Sequence, residues 1–585
     1  LARKSKVGGD TAIWSAATAL TVAASNLVSI LRSHLKSCRA GSEELKNIAT
    51  GSRPTLEEER MVDPKTWRKI LRSAMAACCG SLFLSGMPLH AAAETFTAST
   101  DKTVVETSRG RLLGALDDGV YSYLGVPYAR AERFMPAEDV QPWKGVRPAV
   151  TYGENCFIPQ MTAVAGDELF NPHRYLPMSE NCQFVNVWTP GIKDGKKRPV
   201  MVWIHGGGFT NGSGIELTSY DGHNLSKEGD VVVVTLNHRL NVLGFLDLSA
   251  YGEEYKTSGN ASVTDLVAAL KWVNHNIEAF GGDPDNVTIF GQSGGGYKVR
   301  ALMGTPAAKG LFGKAIVQSG SRVDSVTDQA SSRKVAELTL ANLGLKAEDI
   351  GQLAEMDYYK LLAAANQALK DAAAQGAKDA RYAPVQDGEY IPENPVGDRW
   401  VDQARDIPLM VGNTLNEFET VIRNKVGDLV ADNKNTWDDE KAEAKLKQRF
   451  SDKADAVGKA FLAAYPEKKL ADAYFVDLYF RPGAIRDLDL KAKQNGAPVY
   501  SYMFAYESPV LDGIAMSWHC SELPYVFANA GLVKTSTGGG QQALALSRKM
   551  SQAWVNFARS GKPSAEGLPD WPAYTSDRPA TMVFD

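Results

Sequence analysis

At 585 residues, with 44% hydrophobic and 23% charged residues, the chain has the composition of a folded globular protein. These proportions exclude collagen-like, coiled-coil and largely disordered classes. The length exceeds what one simple core supports and implies either several domains or one large domain with insertions, while a formal net charge of −4, and of −10 without residues 1–93, argues against nucleic acid as a partner.

The first ninety residues read as a leader. Met61 is the first methionine, and Lys65, Arg68, Lys69 and Arg72 form a basic region ahead of an apolar stretch, Ala74 to Leu89, and the small residues Ala91-Ala92-Ala93. This is the pattern of a cleaved export signal over residues 61–93, and it predicts a secreted or periplasmic bacterial protein. Residues 1–60 contain no methionine, and Glu57-Glu58-Glu59 must be encoded by purine-rich codons, as a ribosome-binding site would be; this segment is expected to be upstream translation. A membrane becomes a partner only if residues 11–31, uncharged but rich in Ala, Ser and Thr, are a genuine anchor. Without residues 1–93 the chain keeps 51 Lys/Arg against 61 Asp/Glu, a formal charge of −10.

Three of the six cysteines, Cys38, Cys78 and Cys79, fall in the leader, which leaves Cys156, Cys182 and Cys520. In an exported protein the first two are the expected disulfide. Such a bridge closes about 27 residues and stabilises the fold by roughly 3 kcal/mol in the chain-entropy model.

Further along, continuous apolar runs read as buried strands: Val200 to Ile204, Val231 to Thr235, Val287 to Phe290, Ala315 to Val317, Leu409 to Val411 and Val499 to Tyr502. Between them lie helical stretches such as Ser262 to Phe280, where Leu266, Leu270, Val273 and Ile277 recur every three or four residues. The alternation predicts an α/β architecture: a mostly parallel central sheet with helices on both faces. Ala- and Lys-rich segments, 363–380 and 438–464, read as surface helices inserted around the sheet, with a helical sub-region between about 325 and 480. No internal repeat is visible, so residues 94–585 are expected to form one large domain.

The residues that carry chemistry stand at the ends of these strands. Ser293 occupies a G-x-S-x-G turn, Gly291 to Gly295, directly after the run Val287 to Phe290 and before a helix-compatible segment, Tyr297 to Met303. That strand, turn and helix thrust a serine outward as a candidate nucleophile. A serine needs a base, and in this arrangement the order along the chain is serine, acid, histidine. Of eight histidines only His519 follows Ser293. The acid must lie between them; Glu417, just past the strand Leu409 to Val411, is the leading candidate, with Glu419 and Asp387 as alternatives that spacing does not separate. The segment HGGGF, 205–209, follows a strand where main-chain amides of Gly207 and Gly208, with that of Gly294, could receive a developing oxyanion.

Together these residues resemble the type B carboxylesterase/lipase family, which includes cholinesterases and bacterial p-nitrobenzyl-esterase-like enzymes. FGGDPDNVTIFGQSGG at 280–295 matches the family's nucleophile signature, and HGGGF, LNHRLNVLGFL at 236–246 and WHCSELPYVF at 518–527 match other blocks in the same order. The resemblance runs from about Thr103 to the carboxyl end. It implies an α/β-hydrolase fold with helical insertions, a triad of Ser293, Glu417 and His519, an oxyanion hole of Gly207, Gly208 and Gly294, and a first disulfide loop between Cys156 and Cys182. It also implies hydrolysis of small-molecule carboxylic esters through an acyl-enzyme, without metal or cofactor, and leaves the oligomeric state open. Some relatives with this fold are non-catalytic binding modules, and transfer of the acyl group to an alcohol would use the same residues. The sequence departs from the family pattern at Asn181 and Gln183. Gln292 stands where cholinesterases carry a glutamate, and no Trp lies between Cys156 and Cys182 for choline recognition. Tyr297 and Arg300 are bulkier than usual after the nucleophile and are expected to repack that helix.

Overall fold

A ten-stranded sheet organises the chain, and the two faces of each apolar run explain it. The structure, a computed structural model, describes residues 96–585 apart from 162, 163, 165, 167, 323–325, 423 and 424. The expectations for residues 1–60, 11–31 and 61–93 therefore lie outside the described residues. The sheet strands are β1 (Ala115–Asp117), β2 (Val120–Pro127), β3 (Phe184–Thr189), β4 (Arg198–Ile204), β5 (Val232–Leu236), β6 (Gly282–Gln292), β7 (Lys314–Gln318), β8 (Leu409–Thr414), β9 (Val499–Phe504) and β10 (Thr581–Phe584). Their spatial order is β10-β9-β8-β7-β6-β4-β5-β3-β2-β1. Strands β4 to β10 pair in parallel, and β1, β2 and β3 add an antiparallel edge.

Because successive side chains on a strand point to opposite faces, each run feeds two cores. Val200, Val202 and Ile204 of β4 join Val287 and Ile289 of β6 on one face, against Leu266, Leu270 and Val273 of helix α1 (Ala261–Asn276). Met201 and Trp203 join Phe290, Ile316 and Met410 on the other, against a helix near the carboxyl end that carries Met550, Trp554 and Phe557. Each such fully buried side chain contributes about 1.5–3 kcal/mol relative to exposure.

The longer helices that follow α1 are α2 (Gly294–Met303), α3 (Gln329–Leu343), α4 (Tyr358–Ala374), α5 (Asp439–Phe450), α6 (Ala454–Ala464), α7 (Arg481–Lys493) and α8 (Gln541–Ser560). The stretch read as one helix to Phe280 ends as α-helix at Asn276 and tightens into a 3₁₀ turn, Ile277–Phe280, stopped by left-handed Gly281. The stretch 438–464 is two helices, because Ser451 takes φ 50° and breaks the ladder between α5 and α6. Helices α3 to α6 fill the expected sub-region. Cys156 and Cys182 form a disulfide, their Cα atoms 4.9 Å apart. Among the described residues no helix is long and apolar enough to cross a membrane.

Candidate active site

The carboxyl ends of four parallel strands deliver the site, as expected for an open α/β sheet. Strand β6 ends at Gln292 and the chain turns at Ser293, which holds φ 56° and ψ −125°, a conformation that only surrounding structure can enforce on a non-glycine residue. The Ser293 amide donates to Gln318 O at 2.8 Å, tying the turn to the end of β7. A Cβ at Gly295 would overlap the Ile204 carbonyl, so glycine there lets α2 begin directly against the end of β4.

His519 is held on three sides. Its Nδ1 lies 2.5 Å from Glu417 Oε2, its amide donates to Glu417 O at 2.9 Å, and its ring packs on Phe418 and Phe480 with centroids 4.3 and 5.4 Å away. Glu417 is completely buried at the end of β8 and takes φ 34°. The other oxygen, Oε1, accepts from Ser319 Oγ at 2.6 Å and from the Thr414 amide at 2.7 Å, so the carboxylate has one direction in which to point. The two alternatives fall elsewhere. Glu419 pairs with Arg449 at 3.3 Å, and Asp387 accepts from Asn260 and from the amides of Glu389 and Ile391.

Gly207 and Gly208 both take left-handed φ, 77° and 63°, in the turn after β4. Gly294 packs so closely on Gly208 that a Cβ at Gly294 would overlap its carbonyl. Ser293, His519, Gly207, Gly208 and Gly294 all line one cavity of about 630 Å³. Its walls are aromatic: Phe209, Tyr297, Phe418, Tyr479 and Phe480. Every site residue expected from sequence except Glu417 and the disulfide pair is in that wall, with Glu417 directly behind His519.

Several participants were not legible in the sequence. Gln292 Nε2 stands 3.2 Å from His519 Nε2. Glu522 is buried behind the histidine, accepts from Gln318 Nε2 at 3.2 Å, and is pushed up to about 7 by burial, with the Glu417 charge adding to it. Asp477 accepts from the amides of Tyr479, Phe480 and Arg481 and is likewise raised to about 7 by burial and then by Glu417. It thereby fixes the segment that brings Phe480 to His519. Cys520, the one cysteine outside a disulfide among the described residues, is half-buried in the same cavity.

The two bulky residues after Ser293 do more than repack their helix. Tyr297 faces the cavity, 6.0 Å from Phe209 and 6.4 Å from Phe480. Arg300 is fully buried and pairs with Asp487 of α7 at 3.1 Å.

Sheet order, the strained serine turn between β6 and α2, and the acid and histidine on loops after β8 and β9 define an α/β hydrolase. Residues 101–585 match the model of the Carboxylesterase family. The chain belongs to that family and is a carboxylic ester hydrolase. It is 35% identical over 491 residues to the para-nitrobenzyl esterase of Bacillus subtilis (strain 168), covering 82% of this chain and 94% of that one. With the phenmedipham hydrolase of Pseudarthrobacter oxydans it shares 33% identity over 497 residues, covering 82% and 95%. A solved esterase from anaerobic Clostridium hathewayi, described as able to hydrolyse aliphatic aromatic polyesters, superposes with a TM-score of 0.78 at 42% identity, covering 84% of this chain and 95% of that one.

Proposed function

We propose that the protein is an exported serine esterase that works through an acyl-enzyme, with Ser293 as nucleophile, His519 as base and Glu417 as the acid that orients it. The observation that carries this reading is the pair at 2.5 Å between His519 Nδ1 and Glu417 Oε2, with the imidazole and Ser293 on one cavity. Glu417 holds the Nδ1–H tautomer, which leaves Nε2, beside the Gln292 amide, without a proton and able to take that of Ser293 as Oγ attacks the ester carbonyl. The carbonyl oxygen becomes an oxyanion received by the amides of Gly207, Gly208 and Gly294. Collapse breaks the bond to the alcohol oxygen, which leaves with the proton from His519. Water then enters, gives its proton to the same nitrogen and attacks the acyl carbon, and the acid departs as Ser293 recovers its hydrogen.

Aromatic walls and the names of the relatives favour esters that carry an aryl group, on either the acyl or the alcohol side. Export is supported by the basic and apolar pattern of residues 61–93 and by the Cys156–Cys182 disulfide.

The test is Ser293→Ala assayed on a p-nitrophenyl ester, with an organophosphonate label on the native protein. The expected result is a loss on the order of 10⁶ in kcat and one adduct on Ser293. Retained turnover, or an adduct elsewhere, would overturn the assignment. Cell fractionation and the mass of the native amino terminus test export separately.

A further inference from the structure

Lys298 is an anomaly that hydrolysis alone does not explain. It lies one turn into α2, is 1% exposed, and among the described residues has no ion-pair partner. Its Nζ donates to His205 O at 3.1 Å and stands 5.9 Å over the Phe209 ring. Burying an ammonium without a contacting anion is costly, and a methionine would fill the same volume without that penalty. The ammonium must therefore supply something the apolar side chain would not.

What it supplies is a donor at a particular carbonyl. Strand β4 makes its last ladder pair with β6 at Ile204 and Gly291, and beyond it β6 turns away at Ser293. His205 is buried just past that point, at the start of the turn that carries Gly207 and Gly208. Its carbonyl lies where the sheet no longer provides an amide, and Lys298 reaches it from the helix whose first residue is Gly294. One side chain thus connects the two chain segments whose amides face the cavity.

The charge has a counterpart across the turn. Glu216 lines the cavity, receives the Tyr220 hydroxyl at 3.4 Å on Oε1, and is the one group whose charge supports the protonated lysine. A Cβ on Gly212 would lie 2.5 Å from His205 Nδ1 and 3.1 Å from Glu216 Oε1, which places the carboxyl beside the same turn. The rings of His205 and His238 stack at 4.8 Å, and both are held well below the usual histidine range by burial and then by Lys298. Both imidazoles stay neutral, while burial pulls the Lys298 amine down to about 7 against the support of Glu216, so what the geometry secures is its N–H donor to the His205 carbonyl.

We infer that Lys298 is a positioning residue for the oxyanion pocket: by holding the His205 carbonyl it sets the Gly207–Gly208 turn against the Gly294 end of α2. The inference rests on the reading of those three glycines as the oxyanion pocket. Its consequence is specific to the transition state, because the distance between the two amide-bearing segments matters most once the carbonyl oxygen carries charge.

The experiment is Lys298→Met, with rates expressed per Ser293 titrated by organophosphonate so that misfolded protein does not count. Expected is a kcat lower by about 10- to 100-fold, less than the 10²–10³ that deleting a donor costs, with KM within about twofold of native. An aryl trifluoromethyl ketone, which binds as an oxyanion adduct on the serine, should weaken by the same factor, while the corresponding secondary alcohol binds as before. If the methionine variant is not recovered in soluble form, Lys298→Gln carries the same readout with a smaller loss, because its amide donates without charge. Native kcat with either variant, or a rise in KM alone, overturns the inference. Activity persisting in Ser293→Ala would instead overturn the assignment on which it rests.

Discussion

His519 is tied to Glu417 twice, by its main-chain amide to Glu417 O at 2.9 Å and by Nδ1 to Oε2 at 2.5 Å. The main-chain bond belongs to a parallel bridge between Glu417 and Trp518, which joins the loop after β8 to the loop after β9. Imidazole position is therefore set by backbone as well as by charge. Beside it, Asn416 extends the seam by accepting from the amide and hydroxyl of Ser517.

This double tether separates orientation from tautomer, and Glu417→Gln tests the difference. The backbone bond and the bonds to Oε1 from Ser319 and Thr414 survive the substitution. With the amide oxygen kept in that place, the NH₂ group faces His519 Nδ1 and selects the tautomer that puts hydrogen on Nε2. The base is then blocked while the ring stays in place. We expect kcat to fall by about 10³ to 10⁴, with KM and melting temperature close to native. A loss below tenfold would show that Glu417 is not the orienting acid.

How much of this was readable in the sequence depends on whether a feature is local. Ser293 was legible because strand, glycines and helix are contiguous, and His519 because no other histidine follows the serine. Glu417 could not be separated from Glu419 by spacing, since the choice is made by φ 34° at Glu417 and by the Ser319 and Thr414 donors. Arg300 shows in the sequence only as a bulky residue, because its partner, Asp487, lies on α7 and 187 residues away. Phe480 reaches His519 through a loop capped by Asp477, and no periodicity records that contact. The break between α5 and α6 was missed because composition on both sides favours helix, while one residue, Ser451, leaves the helical region.

Glu522 makes stability depend on pH, and its sign follows from the direction of its shift. Burial raises its carboxyl from 4.5 to about 7. The folded state therefore holds this proton more tightly than the unfolded chain does. The contribution is full below pH 4.5 and is lost as pH rises through about 7, a range worth about 3 kcal/mol at 1.36 kcal/mol per unit. Glu522→Gln keeps the Gln318 bond and cannot ionise. Relative to native protein, its melting temperature should rise progressively between pH 5 and pH 8. Asp477 and Glu216, raised to about 7 by the same cause, leave part of the native slope in place. A difference that is constant across the range would show that Glu522 does not titrate there.

The buried pair of Arg300 and Asp487 couples the helix after the nucleophile to α7. Arg300 Nε stands 3.1 Å from Asp487 Oδ2, Nη2 donates to Oδ1 at 3.2 Å, and Nη1 donates to Arg322 O at 2.8 Å. Burial raises the Asp487 carboxyl, with Arg300 as the main opposing influence, so the carboxylate depends on the guanidinium to stay charged. Removing one partner leaves an uncompensated buried charge, and either Arg300→Met or Asp487→Asn should cost about 3–5 kcal/mol. Replacing both, as in Arg300→Met with Asp487→Leu, removes the desolvation penalty along with the attraction and should cost clearly less than the two single changes combined. Urea denaturation at pH 7 measures all three. Additive losses would mean that the two residues act independently, and single losses under 1 kcal/mol would mean that water reaches the pair in solution. Because Arg300 also holds the Arg322 carbonyl at the cavity wall, the single variants should lose activity in parallel with stability, whereas the double variant should recover stability more completely than turnover.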